Sequence, residues 1–304
     1  MKIVIAGGTG LIGSKIVKRL TNEGNSVIIL TRGIKKSLLQ DNNRIKYVQW
    51  NPAIVGSWTD HLSGADAVIN LSGESIAGKK WSDKQKEKII QSRIIPTGTL
   101  VSGMEQISPR PGLLLNASAV GYYGNVEVGE VDESYPAGEG FLANTCKRWE
   151  KESLKASALD VRVVNLRIGM VLSREGGALP RLLQPFRFFV GGHYGNGNQW
   201  MPWIHIDDLV SAVCFILNKH EIYGPVNGVS PSPVTMKQFS KILGKVMEKP
   251  SAIPVPAFVL KLMLGEMAEM LLTGQKAVPK KLLEYGFQFH FTKLDEALKN
   301  LLNG

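Results

Sequence analysis

Residues 3–13 read IVIAGGTGLIG, an apolar run followed by glycines at 7, 8, 10 and 13. Lys2 to Ala6 has the short, β-rich composition of a buried strand. From Leu11 to Leu20, apolar residues recur at helical spacing, with Leu11, Ile12, Ile16, Val17 and Leu20 on one side. A glycine loop between strand and helix brings backbone amides close to a diphosphate at the helix N-terminus, where the helix dipole favours negative charge. A second strand, Ser26 to Leu30, follows at the distance that a βαβ unit requires. The pattern predicts a Rossmann-type nucleotide site. The plainer alternative is an α/β protein in which the loop is only a tight turn.

The end of the second strand bears on which dinucleotide such a loop would take. A site for NAD carries an acid about 20 residues past the loop, on the ribose 2′-hydroxyl. Here Thr31 and Arg32 are followed by Lys35 and Lys36, and no acid occurs before Asp41. Arginine pairs with a 2′-phosphate and gains little from a bare hydroxyl. The expected cofactor is therefore NADP(H), the alternative being that Arg32 is merely an exposed loop residue.

The chain has 304 residues, of which 44% are hydrophobic and 20% charged, enough for a large core and against disorder. Two cysteines, Cys146 and Cys214, make no disulfide framework and no metal-binding spacing, which fits a reducing compartment. The greasiest stretch, Ile253 to Leu272, is broken by Pro254, Pro256, Lys261, Gly265, Glu266 and Glu269, and the start lacks a signal-peptide pattern. A cytoplasmic protein is expected. The net charge of +10 is spread along the chain as solvated helix faces, so neither nucleic acid nor membrane is an expected partner. A small-molecule substrate is, with a monomer or homodimer as the assembly.

Further strands are expected at Ile45 to Val48, Ala67 to Leu71, Leu113 to Ala117 and Val161 to Leu166, alternating with helices at Asp83 to Gln91, Thr97 to Gln106 and Asn144 to Ala158. This is the rhythm of a doubly wound parallel sheet, an α/β fold whose ligands sit beyond the carboxyl ends of its strands. After residue 167 glycines and aromatics interrupt it. Residues 1–167 are thus read as the dinucleotide-binding domain, with 204–228 returning to it. Residues 168–203 and 229–304 form a smaller, partly helical substrate-side region. WIHIDDLVSAVCFIL reads as a strand and a helix capped by Asp207 or Asp208, and two or three helices follow Ser230.

GGTGLIG, DAVINLSGESI, NASAVGYYG, LRIGMVLS and WIHIDD together resemble the extended short-chain dehydrogenase/reductase superfamily, the group of sugar-nucleotide epimerases and dehydratases. SGESIAGKKW, SRIIPT, CKRWE, GGALPRLLQPF and PWIHIDDL are similar to its atypical epimerase family 39U branch, and LLTGQKAVPKKLLEYGFQF to that branch's small C-terminal domain, from about residue 253. The resemblance spans essentially the whole chain. It implies Gly7, Thr9, Gly10, Leu11, Ile12 and Gly13 around a diphosphate, and Thr31 and Arg32 around the 2′-phosphate. Leu71, Ser72, Gly73 and Arg93 would line the middle of the cofactor, and Ile168 the nicotinamide half.

Superfamily enzymes carry Tyr-x-x-x-Lys on the helix after the fifth strand, one turn apart on one face, to move a proton as hydride moves. Here that helix reads FLANTCKRWE, and anchoring on Glu150 puts Leu142 and Cys146 at the two positions. The remaining candidates are Ser118, at the strand end where the superfamily keeps a substrate-polarising hydroxyl, and Tyr122 or Tyr123 just after it; Glu74 and Lys147 are further options. Arg181, Arg187, Gln199, Trp200 and Trp203 are candidates for a substrate wall, while His205 reads as structural. The expected function is an NADP(H)-dependent oxidoreductase or epimerase-like enzyme of unknown substrate. The competing reading is an NADP(H)-binding sensor without turnover.

Overall fold

The computed structural model describes residues 1–33 and 43–303. Lys35, Lys36 and Asp41 lie outside the described residues. In chain order the strands are β1 (Lys2–Ala6), β2 (Ser26–Thr31), β3 (Ile45–Gln49), β4 (Ala67–Asn70), β5 (Leu113–Ala119), β6 (Val126–Val131), β7 (Arg162–Ile168), β8 (Met170–Leu172), β9 (Trp200–Met201), β10 (Trp203–His205), β11 (Gly224–Gly228), β12 (Val234–Thr235) and β13 (Gln275–Ala277). The helices are α1 (Leu11–Asn22), α2 (Asp83–Glu105), α3 (Phe141–Leu154), α4 (Leu179–Arg187), α5 (Ile206–Asn218), α6 (Met236–Met247), α7 (Ala257–Leu264), α8 (Glu269–Leu272), α9 (Lys280–Glu284) and α10 (Leu294–Asn303).

Seven parallel strands form the main sheet in the order β11-β7-β5-β4-β1-β2-β3. The chain leaves β1 toward β2 and β3, then crosses to β4 on β1's other side. The topological switch point thus falls beside the glycine loop, where open α/β sheets leave a crevice. Strand residues alternate between two cores. Ile3 and Ile5 face α1 and α5 through Ile16, Leu20 and Val213. Val4 and Ala6 share the other core with Leu100 and Met104 of α2. A third core gathers α4, α6 and α10 around Trp203, Phe186, Phe239 and Leu298, beside the short pairs β8–β10 and β9–β12. Toward the C-terminus, β13 pairs with β6. No described helix is long and apolar enough to cross a membrane.

Three details differ from the sequence reading. The two helices expected on either side of Pro96 are one helix, α2, 23 residues long. Pro96 is buried inside it, and next to the break that proline's missing N–H makes the Thr97 hydroxyl donates to the Arg93 carbonyl (2.7 Å). The cap of α5 is not an aspartate but His205, whose Nδ1 accepts from the Asp207 amide at 3.1 Å. Asp208 instead accepts from the amides of His290 (2.8 Å) and Phe291 (3.0 Å), and so ties down the C-terminal segment. Five described helices, not two or three, follow Ser230.

A polar row crosses the sheet. Asn70, Asn116 and Asn165 stand in register on β4, β5 and β7, all buried. Asn70 donates to Asn116 Oδ1 (2.8 Å), and Asn116 donates to Asn165 Oδ1 (3.2 Å). Thr97 of α2 accepts from Asn70 (2.8 Å) and from the Trp149 indole (3.0 Å), while Ser153 of α3 donates to Asn165 (2.7 Å). The row fastens both helices to the sheet near its carboxyl edge. Asn116→Ala removes its middle and leaves buried partners unpaired, so urea unfolding should show a loss of roughly 1–3 kcal/mol with an unchanged m-value. An unmoved midpoint would remove the row from the account of stability.

Candidate functional site

Two of the loop glycines answer to the chain's own packing. Gly7 has φ +83°, and a Cβ there would lie 2.8 Å from the Leu71 carbonyl group. A Cβ on Gly13 would run into the Gly7 carbonyl and the Gly8 Cα, so the loop packs directly on α1. Gly10 is different. Its φ is −78°, and a Cβ would meet only the Gly7 oxygen at 3.4 Å. The fold therefore does not require glycine at 10; what a side chain would obstruct is the open space before α1. That helix has no side-chain cap and no acid in its first turn, which leaves its amino end a positive, donor-rich terminus. Thr9 and Gly10 are exposed, and Leu11 and Ile12 half-buried.

Thr31 ends β2, its hydroxyl donating to the Gly33 carbonyl (3.1 Å), and Arg32 stands exposed just beyond. Across the switch point, Leu71 extends the sheet through its amide to Ala6 (2.8 Å), and Asn70 Oδ1 accepts from the Ser72 amide (3.2 Å). Gly73 lies against Arg93: a Cβ there would come within 3.2 Å of the guanidinium carbon. Arg93 donates to the carbonyls of Ile89 (2.9 Å) and Glu74 (3.1 Å) and stacks over Trp149. Burial pulls its pKa down, but carbonyl oxygens hold it as a cation without a carboxylate partner. Ile168 closes β7, in register with Ala119 and Gly228. The sequence-chosen residues thus gather along one edge of the sheet.

The candidate catalytic hydroxyls are less open than the sequence suggested. Ser118 is buried and donates to Glu150 at 2.6 Å. Tyr123 is buried too; its hydroxyl donates to Asn227 (2.7 Å) and accepts from Arg167 (2.9 Å), and burial pushes its pKa up to about 12. Both are engaged in one network, so the substrate-orienting role expected of Ser118 and the proton-relay role expected of Tyr123 would have to act from within it. The network's centre, Arg167, was missed by the sequence reading. Its guanidinium meets both Glu150 oxygens at 2.9 Å, and the Tyr122 ring lies over it with the centroid 3.5 Å away. Burial lowers the Arg167 pKa, but the Glu150 hydrogen bonds and charge outweigh it and the net direction is upward. Tyr122 alone of the three candidates remains half-buried rather than enclosed.

On α3, Leu142 packs near Gly121, and Cys146 is buried beside Ser118. Lys147 is exposed, and Glu74 pairs with Lys88 (3.1 Å). On the expected substrate wall, Arg181 donates to the Ala77 carbonyl (2.6 Å) and Arg187 is exposed. Gln199 donates to the Tyr194 and Leu271 carbonyls, and Trp200 is half-buried under Lys276. Trp203 is fully buried with its indole on the Ser232 carbonyl, so it belongs to the core and not to a wall. His205 is enclosed, stacked on Phe291 and kept neutral by burial, as its structural reading expected.

The chain matches the family model "NAD dependent epimerase/dehydratase family" over residues 3–227. It belongs to that family. A second model, "Domain of unknown function (DUF1731)", matches residues 255–301, in line with the C-terminal domain expected from about 253. The epimerase-family chain is 39% identical to "Epimerase family protein SDR39U1 homolog, chloroplastic" of Arabidopsis thaliana, over 99% of this chain and 87% of that one. It is 37% identical to "Epimerase family protein YfhF" of Bacillus subtilis, covering 99% and 98%. The crystal structure of human epimerase family protein SDR39U1 with NADPH superposes with a TM-score of 0.87 at 30% identity, over 100% of both chains. The resemblance to the 39U branch thus stands.

Two outcomes test the geometry around Arg167 and Cys146. Arg167→Met leaves Glu150 buried without its partner and should cost ~3–5 kcal/mol in chemical denaturation, most of it recovered in Arg167→Met/Glu150→Leu. A double variant as unstable as the single one would show that the ion pair is not the source. Burial pushes both thiols up to about 11, so near pH 8 only about one in a thousand is thiolate. Ellman's reagent should therefore find both cysteines silent until the protein unfolds; rapid native labelling of either would contradict the burial.

Proposed function

We propose that this epimerase-family member binds NADP(H) at the carboxyl edge of its sheet and uses it on a small carbonyl or hydroxyl compound, nucleotide-linked sugars being the first class to try. The observation that carries the reading is the uncapped start of α1 behind Gly10, a glycine that the chain's own packing does not require. That donor set suits a diphosphate. In this reading Gly7, Thr9, Gly10, Leu11, Ile12 and Gly13 form the diphosphate cradle, and Thr31 and Arg32 hold the 2′-phosphate. Leu71, Ser72 and Gly73 line the middle with Arg93 as a second cation, and Ile168 borders the nicotinamide. NADP(H), when bound, supplies hydride chemistry.

The proton side of the reaction falls to this chain's own groups. Leu142 cannot exchange a proton, and the buried Cys146 thiol stays protonated. Ser118 and Tyr123 are engaged with Glu150, Asn227 and Arg167. Tyr122 is the phenol we assign to the substrate oxygen, its ring fixed over the Arg167 cation. Residues 168–203 and 229–304 supply the substrate side, and residues 1–167 with 204–228 the cofactor side. The two free, buried cysteines fit a reducing, cytoplasm-like compartment. The absent Tyr-x-x-x-Lys pair favours one other reading, a cofactor-occupied sensor without turnover.

Calorimetry should find NADPH bound more tightly than NADH by roughly tenfold to a hundredfold, the worth of a charge-assisted contact. Arg32→Ala should erase most of that gap and leave NADH unchanged; equal parental affinities would sink the cofactor assignment. Gly10→Val should abolish binding of either cofactor while circular dichroism stays native. A screen of nucleotide sugars and simpler carbonyls, followed by NADPH absorbance, should give slow turnover that Tyr122→Phe removes at unchanged cofactor affinity. Turnover that survives Tyr122→Phe would move the catalytic centre elsewhere. No turnover, with a cofactor-dependent change in shape, would favour the sensor.

A further inference from the structure

Two short segments far apart in the sequence each carry exposed apolar side chains, and their flanks are joined. Phe188, Phe189 and Val190 follow α4, and Phe258, Leu262 and Met263 lie on α7; all are exposed. Backbone hydrogen bonds join the segments: Ile253 to Gly191 (3.1 Å), Val255 to His193 (2.8 Å) and Gly195 to Val255 (2.9 Å). Helix α7 reads AFVLKLML, yet buries only Leu260. A phenylalanine carries ~150–250 Å² of buriable surface. At 76%, 57% and 71% exposed, Phe188, Phe189 and Phe258 together present on the order of 300–500 Å². That sum is comparable to the largest apolar patch on a typical monomer, ~300–600 Å². Leu262, 83% exposed, and Met263 enlarge it.

The cations around this face point to its occupant. Lys249 lies over the Phe189 ring at 3.9 Å, and Lys261 is exposed between Phe258 and Leu262 on α7. Arg187 precedes Phe188, and Lys245 is exposed on α6. Of the acids in these segments, Glu266 is tied to Lys86, which leaves Glu248 and Glu269 against those cations. A symmetric contact with a second copy presses the same patch against itself and so brings like charges together. A layer of anionic headgroups over an apolar interior offers the opposite charge at the rim and a solvent for the rings.

We propose that the Phe188–Val190 and α7 face docks this protein onto the surface of an anionic lipid bilayer, with the aromatic and aliphatic tips inserted and Lys249, Lys261, Arg187 and Lys245 at the headgroups. This is a surface contact, not a span, and it revises the expectation of no membrane partner drawn from dispersed charge.

The test is flotation of the full chain with vesicles of phosphatidylcholine alone, or of phosphatidylcholine mixed with phosphatidylglycerol. The parent should float with the mixed vesicles and not with the neutral ones, and added salt should weaken the binding. Phe258→Ser/Leu262→Ser should lower the binding by at least about tenfold while circular dichroism stays native, because both side chains are exposed. Lys249→Gln/Lys261→Gln should remove the preference for anionic vesicles. No flotation of the parent with either vesicle, or flotation that the serine pair leaves intact, overturns the proposal. A dimer in sedimentation equilibrium that the serine pair dissolves would assign the face to a second copy and overturn it equally.

Discussion

A guanidinium and a carboxylate buried together near the end of β7 set the terms for much of this structure. Arg167 and Glu150 are both nearly inaccessible, and each would be costly alone in a low-dielectric interior. Pairing across both oxygens offsets that cost only if the remaining donors and acceptors are also satisfied. They are. Ser118 donates to Glu150, while Arg167 donates to the Tyr123 hydroxyl and to the Glu133 carbonyl (3.3 Å). The Tyr122 ring covers the guanidinium face. One ion pair therefore fixes the end of β7, the middle of α3 and the turn after β5, three elements that border the candidate cleft.

The same network gives the region its shape without a proton-transfer pair. Leu142 is apolar and Cys146 a buried thiol, and the hydroxyls of Ser118 and Tyr123 are held in hydrogen bonds. Arg93 and Arg167 are cations that border it. Among the described residues Arg167 is ion-paired with Glu150, whereas Arg93 is held by carbonyl oxygens with Glu74 nearby. An anionic ligand over Gly73 would lie against the Arg93 guanidinium.

The C-terminal segment is bound to the sheet domain by backbone capture as much as by apolar packing. Glu133 accepts from the amides of Asn227 (3.0 Å) and Lys281 (3.3 Å), joining β11 and α9 to the loop after β6. Asp208 does the same for His290 and Phe291. Buried carboxylates holding amides fix register, because a one-residue slip would strand the charge. Among the described residues the exposed side chains of α7 have no such partner, and that contrast singles the helix out.

Sequence alone determined the α/β class, the strand–loop–helix unit around Gly7 to Gly13, and the residues that collect at one sheet edge. Period-two and period-3.6 patterns are local, and a glycine loop is contiguous. The resemblance to the superfamily, anchored on Glu150, put Leu142 and Cys146 at the tyrosine and lysine positions, and a slide by one residue would put Ala143 and Lys147 there. Tertiary structure decided the rest. Pro96 lies within one helix because packing on both faces outweighs the local cost of a proline. Asn70, Asn116 and Asn165 drew no reading in the sequence, and only strand register turns them into a row. The partners of Ser118 and Tyr123, Glu150 and Asn227, lie 32 and 104 positions away and could not be read from the sequence. Arg167 drew no reading until the fold placed Glu150 against it. Hydrogen bonds and ion pairs over such separations leave no periodic trace in a sequence, since only the folded chain brings their ends together.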